Sequence, residues 1–213
     1  LSHRKGAKLN IDKIKIDKIK GFLDERESEY LYELALKASK KGPCLEIGSY
    51  CGKSAVYIGG ACKENNAVLF SLDHHRGSEE QQPGQEYFDP DLLNEQTGLI
   101  DTLPLFRHTL AVFALEDTVI PIVGRSETIG RAWQTPLSLI FIDGSHAYES
   151  VLKDYQIWSK HLMPGGYLVF HDIFPDPEKG GQAPYRVYQL AVASRQYEEL
   201  PLFVSLGILK RKK

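Results

Sequence analysis

The chain has 213 residues, 42% hydrophobic and 25% charged, so it is long enough for one domain with a buried sheet and too apolar for wholesale disorder. Its formal net charge of −2 gives no reason to expect nucleic acid as a partner, and no apolar run approaches the roughly 20 residues of a membrane-spanning helix. Because the first residues lack a signal-peptide core and the cysteines (Cys44, Cys51 and Cys62) lack metal-binding spacing, we expect a cytoplasmic protein with buried thiols and no membrane partner.

The predicted elements begin after a basic amino-terminal segment. Residues 1–23 are interpreted as an arm or flap, with the pentapeptide Ile-Asp-Lys-Ile-Lys repeated over residues 11–20. This arm also offers a contact for a homodimer. The remainder, residues 24–213, is predicted to form a single domain, which opens with an amphipathic helix over residues 24–40.

Short apolar strands then alternate with helices along the chain. Strands are predicted at 44–48, 67–73, 119–123, 137–142 and 167–170, with one strand or a pair of strands between 202 and 210. Helices are predicted at 53–62, 99–115, 126–133, 147–162 and 185–195, and loops at 74–96 and 174–183. This alternation indicates an α/β fold in which helices cover both faces of a parallel sheet.

Polar residues stand at the ends of these predicted strands. They are Glu46, Asp73, Ser126, Asp143, His171 and Asp172. In parallel sheets ligands bind beyond the carboxyl ends of the strands. The coincidence therefore predicts one composite site at this edge of the sheet.

The turn after the first strand has the sequence Glu46-Ile-Gly48-Ser-Tyr-Cys-Gly52-Lys-Ser54. Gly48 lets the backbone pass close to a ligand, and the start of the next helix offers free N–H groups. Asp73, at the end of the second strand, is placed to accept hydrogen bonds from both hydroxyls of a ribose. Together the two features favour a ligand that contains adenosine.

Two other nucleotide-binding motifs fit this turn less well. A P-loop has four residues between its first glycine and the Gly-Lys-Ser, whereas Gly48 and Gly52 are separated by three. A dinucleotide-binding turn has glycines at its first, third and sixth positions, where this chain has Tyr50 third and Lys53 sixth. The spacing therefore excludes the P-loop and weakens the dinucleotide interpretation.

The Glu-x-Gly-x-x-x-Gly turn with an acid ending the second strand resembles class I S-adenosylmethionine-dependent methyltransferases. The segments Phe-Ile-Asp-Gly-Ser-His-Ala-Tyr-Glu (141–149) and Pro-Gly-Gly-Tyr-Leu-Val-Phe-His-Asp (164–172) resemble the metal-dependent O-methyltransferases of the catechol and macrolide-sugar types. The resemblance implies a Rossmann-like, doubly wound, mostly parallel seven-stranded sheet with an antiparallel last strand. It also implies that S-adenosyl-L-methionine is the cofactor of the 24–213 domain.

The resemblance implies a set of cofactor-binding residues. The methionine part is expected near Glu46, Gly48 and Ser49, and the ribose at Asp73. His74 and Ser126 are expected near the adenine, although Ser126 is also suited to cap a helix. The other cofactor-site residues that we predict are Tyr50, Gly52, Ser54 and Asp143.

The same resemblance implies a metal site and a general base. Asp143, His171 and Asp172 match the positions that hold a divalent cation, usually magnesium, in these families. His171 departs from the acid common at its position, and because imidazole suits softer metals, the identity and presence of the metal stay open. His146 matches the general base, with Asp143 as its catalytic neighbour; capping of the following helix is the alternative for both.

These features predict an O-methyltransferase that acts on a hydroxyl of a small molecule, a sugar or a phenol. Residues 1–20 and 74–96 are expected to close over this acceptor. Two alternatives stay open: an oxidoreductase that uses NAD, and a non-catalytic module that keeps the cofactor pocket.

Overall fold

The computed structural model describes residues 13–213. The helices are α1 (Lys13–Ile16), α2 (Glu25–Ala38), α3 (Lys53–Glu64), α4 (Leu103–Val112), α5 (Ser126–Gly130), α6 (Tyr148–Trp158) and α7 (Ala183–Ala193). The strands are β1 (Cys44–Ile47), β2 (Leu69–Asp73), β3 (Leu93–Asn94), β4 (Leu99–Ile100), β5 (Val119–Val123), β6 (Leu137–Ile142), β7 (Leu162–Phe170), β8 (Tyr197–Glu199) and β9 (Gly207–Arg211). The first twelve residues, and with them part of the predicted arm and its repeat, lie outside the described residues.

Seven of these strands form one sheet in the order β5-β2-β1-β6-β7-β9-β8. The pairs from β5 to β7 are parallel, and β9 runs antiparallel to both β7 and β8. The predicted fold class, a mostly parallel sheet of seven strands with an antiparallel last strand, is confirmed. The strand order brings the carboxyl ends of β1, β2, β6 and β7 to one edge.

The central strands are buried on both sides. Every residue of β1 and of β6 is buried, as expected for parallel strands covered by helices on both faces. One core cluster lies between the sheet and α2, α3 and α4, and includes Phe106. The other lies on the opposite face, beneath α6 and α7, and includes Trp158.

Several predicted elements differ from the observed ones. The helix predicted at 126–133 ends at Gly130, and the predicted loop 74–96 contains two short 3-10 helices and β3. The predicted helix over 99–115 spans only Leu103–Val112, because its first two residues form β4, which pairs with β3 in a hairpin. The strand predicted at 167–170 begins earlier, at Leu162, since a register shift against β6 accommodates the Pro-Gly-Gly segment. The region 202–210 contributes only β9, whose partner β8 lies upstream of it.

The described part of the amino-terminal segment packs on the domain. Ile16 and Leu23 are buried. The ammonium of Lys20 contacts Asp89 Oδ2 at 2.5 Å and Asp91 Oδ2 at 2.8 Å. These contacts join the segment before α2 to the long loop that follows β2.

The three cysteines are free and buried, in agreement with the sequence-based prediction. Over residues 13–213, none of the helices combines the length and the apolar character that crossing a membrane requires.

Gly48 is required by a close approach between β1 and β6. Its φ is +89°, and a Cβ at this position would lie 2.3 Å from the carbonyl oxygen of Asp143 and 2.5 Å from the Cα of Gly144. Both are backbone atoms and cannot turn aside. The glycine therefore allows the two strand ends to touch.

We expect Gly48→Ala to lower the free energy of unfolding by about 4 kcal/mol, because the methyl group displaces the backbone of Asp143. Gly98→Ala is the matched control: its φ is +67° but nothing lies within 4 Å of the added Cβ. The control is expected to lose only about 1 kcal/mol, the cost of the left-handed backbone. Urea unfolding measures both, and equal losses would contradict the steric explanation.

Candidate active site

A cavity of about 470 Å³ opens at the carboxyl ends of β1, β2, β6 and β7. It brings together most of the residues that the sequence predicted for the site. Those that line it are Gly48, Ser49, Tyr50, Ser54, Asp73, His74, Asp143, His146, His171 and Asp172. Glu46, Gly52 and Ser126, which the sequence also predicted for the site, do not line the cavity.

Asp73 organises the turn after β1. Its Oδ2 accepts hydrogen bonds from the backbone N–H groups of Ser49, at 3.0 Å, and Tyr50, at 2.9 Å. Its Oδ1 accepts from the N–H of His75 at 2.7 Å. A carboxylate offers about four lone-pair sites, so one site on Oδ1 is left for a ligand. His74 lines the cavity beside it.

The Ser49 hydroxyl is buried and has no hydrogen-bond partner among the described residues. An unpaired buried hydroxyl is unfavourable by about 1–3 kcal/mol. Ser49 also lines the cavity, so its hydroxyl is available to a polar group in the cavity.

Glu46 supports the turn from below the cavity. It is fully buried and accepts hydrogen bonds from the hydroxyls of Ser54, at 2.7 Å, and Ser71, at 2.5 Å. Burial raises the pKa of Glu46 to about 7, against the effect of the two hydroxyls. Ser54 lines the cavity, so Glu46 reaches a ligand only through it.

Gly52 and Ser126 face other parts of the protein. A Cβ at Gly52 would meet Phe106 and Thr109, so this glycine allows α3 to pack against α4. The Ser126 hydroxyl donates to Asp154 and accepts from Trp158 Nε1 at 2.7 Å. Neither residue contacts the cavity, and the hydroxyl of Ser126 makes no helix-capping hydrogen bond.

Asp143, His171 and Asp172 form a cluster in which the candidate ligand atoms all lie within 4.8 Å of one another. The Nδ1 of His171 is 3.0 Å from Asp143 Oδ1 and 3.2 Å from Asp172 Oδ2. Its Nε2 is 3.2 Å from Glu27 Oε2. Although burial acts in the opposite direction, these carboxylates raise the pKa of His171 far above its ordinary value.

His146 lies between two carboxylates. Its Nε2 is 2.7 Å from Asp172 Oδ2 and its Nδ1 is 2.8 Å from Glu80 Oε2. The hydrogen bond to Asp172, supported by Glu80, raises the pKa of His146 to about 9. The helix α6 has no side-chain cap bond, so His146 does not cap it.

A family model described as a methyltransferase domain matches residues 45–173, which is more than half of the chain. The chain belongs to this methyltransferase family. The match covers β1 to the end of β7 and therefore every strand that borders the cavity. The recognition of an S-adenosylmethionine-dependent methyltransferase from the sequence is confirmed.

Solved structures share the fold of this methyltransferase at low sequence identity. A Staphylococcus aureus protein provisionally named caffeoyl-CoA O-methyltransferase is 13% identical, with a TM-score of 0.65, 93% of this chain covered and 88% of that chain. An O-methyltransferase from Bacillus cereus in complex with S-adenosylhomocysteine is 15% identical, with a TM-score of 0.64 and coverage of 94% and 86%. TomG from Streptomyces achromogenes, bound to S-adenosylmethionine, is 15% identical, with a TM-score of 0.62 and coverage of 90% and 82%.

A short match to a viral protein adds nothing on activity. The uncharacterized protein R132 of Acanthamoeba polyphaga mimivirus is 42% identical over 36 residues. These residues are 17% of the methyltransferase and 16% of the viral protein.

The residues of the cluster fit a divalent cation. Two atoms that bind one cation at right angles, each about 2.1 Å away, lie about 3.0 Å apart. The separations of His171 Nδ1 from the two aspartates are close to this value. To bind a cation, Nδ1 has to lose its proton.

The sequence analysis missed several side chains of the site. Glu27 and Glu80 contact the two histidines, and Phe22 and Tyr87 line the cavity with their ring centroids 5.5 Å apart. Glu27 comes from α2, Glu80 from a short 3-10 helix (Glu79–Gln81) within the long loop after β2, and Phe22 and Tyr87 from irregular segments. No local sequence pattern distinguishes them from exposed residues.

We expect the stability of the protein to fall as the pH rises from about 4.5 to about 7 and to level off above that, because ionisation of the buried Glu46 is unfavourable. A carboxyl with a raised folded-state pKa favours folding below its unfolded pKa of about 4.5, and this contribution is lost as the pH passes the folded value. Between pH 5 and pH 9, the free energy of unfolding of Glu46→Gln is expected to fall by about 3 kcal/mol less than that of the wild type. Chemical unfolding at several pH values measures it.

Glu33→Gln on the exposed face of α2 is the control for this prediction. It is expected to leave the pH dependence as in the wild type. A Glu46→Gln profile parallel to that of the wild type would show that Glu46 does not titrate in this range.

Proposed function

We propose that this methyltransferase moves the methyl group of S-adenosyl-L-methionine to a hydroxyl of a small molecule, a sugar or a phenol. The observation that carries the proposal is that the turn held by Asp73 and the cluster of Asp143, His171 and Asp172 share one cavity with His146. A cofactor and an acceptor can therefore bind side by side.

The cofactor end of the cavity suits the amino-acid and ribose parts of S-adenosylmethionine. The unpaired hydroxyl of Ser49 is available to the methionine moiety, and the remaining lone pair of Asp73 Oδ1 to a ribose hydroxyl. The Bacillus cereus and Streptomyces achromogenes structures hold S-adenosylhomocysteine and S-adenosylmethionine, which supports this assignment.

His146 is proposed as the general base. His146 acts as a base only in its neutral form, after Nε2 has lost the proton that it directs at Asp172. With the Nδ1–H still donating to Glu80, Nε2 then takes the proton of the acceptor hydroxyl. The acceptor oxygen forms a bond to the methyl carbon, the bond from carbon to sulfur breaks, and its electron pair stays on sulfur. The sulfonium thus becomes the thioether of S-adenosylhomocysteine.

Asp143, His171 and Asp172 are the residues that would hold a divalent cation. Such a cation lowers the pKa of a hydroxyl that binds to it. The side chains themselves fix the position of the acceptor beside His146 and keep negative charge near its imidazole ring. Most of the acceleration is expected from this positioning of the two reactants.

Ser49→Ala is expected to lower the affinity for S-adenosylhomocysteine about 10-fold, because the ligand loses one hydrogen bond. Without ligand, the same change should leave the protein as stable as the wild type or more stable, since a buried unpaired hydroxyl is removed. Isothermal calorimetry and thermal unfolding give the two values. Unchanged affinity would mean that Ser49 has no cofactor role, and absence of binding to the wild type would contradict the proposed function.

His146→Ala is expected to reduce methyl transfer about 100-fold or more while S-adenosylhomocysteine binding is retained. The assay follows release of S-adenosylhomocysteine with a panel of catechols and monosaccharides. His108→Ala, on the exposed side of α4, is the control and should behave as the wild type. Full activity of the His146 variant would exclude the general-base role.

A further inference from the structure

Glu27 is a buried carboxylate outside the cavity that contacts a residue of the site. It lies on α2 and is 3% exposed. Its Oε1 accepts two hydrogen bonds from Ser205, from the backbone N–H at 2.7 Å and from the hydroxyl at 2.6 Å. Its Oε2 faces His171 Nε2 at 3.2 Å. Glu27 is thus held in place by Ser205 and directed at the ring of His171.

This contact engages Nε2 of His171 and leaves Nδ1 as the nitrogen that can give up its proton to a cation. A carboxylate accepts hydrogen bonds, so Nε2 carries its hydrogen toward Glu27. Nδ1 is then directed at Asp143 and Asp172, at 3.0 Å and 3.2 Å. Histidines that bind metals commonly donate their other ring N–H to a carboxylate in this way, which fixes the tautomer and orients the ring.

The donor set differs from one made of oxygens alone. Magnesium prefers oxygen ligands and keeps several waters, whereas an imidazole nitrogen suits zinc, copper, iron and nickel. His171 supplies the nitrogen, and Asp143 and Asp172 supply the two oxygens.

We propose that Glu27 is a positioning residue that holds His171 Nδ1 toward Asp143 and Asp172, so that the site prefers a divalent first-row transition metal to magnesium. This inference rests on the metal site of the proposed function and adds the class of the metal and the residue that selects it. A Glu27–His171 pair that only joins α2 to the end of β7 would give no such preference.

The test is calorimetric titration of the chelator-treated protein with cobalt chloride and with magnesium chloride, in the presence of S-adenosylhomocysteine. We expect the wild type to bind Co²⁺ at least about 100-fold more tightly than Mg²⁺. His171→Asp, which replaces the nitrogen by oxygen, should reduce this preference at least about 10-fold and change the visible absorption of bound Co²⁺. An unchanged ratio would overturn the proposal.

Glu27→Met is expected to weaken Co²⁺ binding about 10- to 100-fold by releasing the ring of His171. Glu33→Met is the matched control, since Glu33 lies on the same helix but is exposed; it should bind Co²⁺ as the wild type does. Circular dichroism checks that each variant is folded. If Glu27→Met does not fold, Ser205→Ala, which removes one of the hydrogen bonds to Glu27, is expected to lower Co²⁺ affinity by a smaller factor.

The outcomes separate this inference from the proposed function. A wild type that binds no cation, or binds Mg²⁺ as tightly as Co²⁺, overturns the inference. Binding of S-adenosylhomocysteine and methyl transfer in the presence of a chelator are measured on the same samples. Cofactor binding and methyl transfer can both persist when no preference for Co²⁺ is found. Loss of both in every sample contradicts the proposed function itself.

Discussion

The active site depends on the contact between the ends of two neighbouring strands. β1 and β6 pair in parallel, and beyond the last pair the backbone at Gly48 reaches that of Asp143 and Gly144 with no room for a side chain. The turn proposed for the cofactor and the acid proposed for the metal are therefore in direct contact. A methyl donor and an acceptor need this proximity, because transfer occurs in line between atoms that nearly touch.

A second feature of the site is a row of carboxylates and imidazoles that crosses it. Glu27 contacts His171, His171 contacts Asp172, Asp172 contacts His146, and His146 contacts Glu80. Each ring is held by a carboxylate on either side, so its orientation and the direction of both its ring nitrogens are set. Glu27 and His171, the buried members of the row, are unfavourable to bury unless each is paired, and here each one has a partner.

Much of the site could be predicted from the sequence because it lies at strand ends. Asp73, Asp143, His171 and Asp172 follow apolar runs directly, and parallel strands bring such positions to one edge. Glu46 and Ser126 stand at similar positions, yet their side chains bond to Ser54 and to Trp158 and do not line the cavity. Position at a strand end therefore predicts proximity to the site, but not the direction of the side chain.

The sequence by itself determined the fold class and the residues at the strand ends, because hydrophobic periodicity and turn spacing are local properties. Its motifs identified the methyltransferase family by resemblance. Only the tertiary structure decided which side chains complete the site. Glu27 meets Ser205 across 178 positions of the chain, and Glu80 meets His146 across 66. No local pattern encodes such contacts, since they arise from the packing of α2 and the long loop against the edge of the sheet.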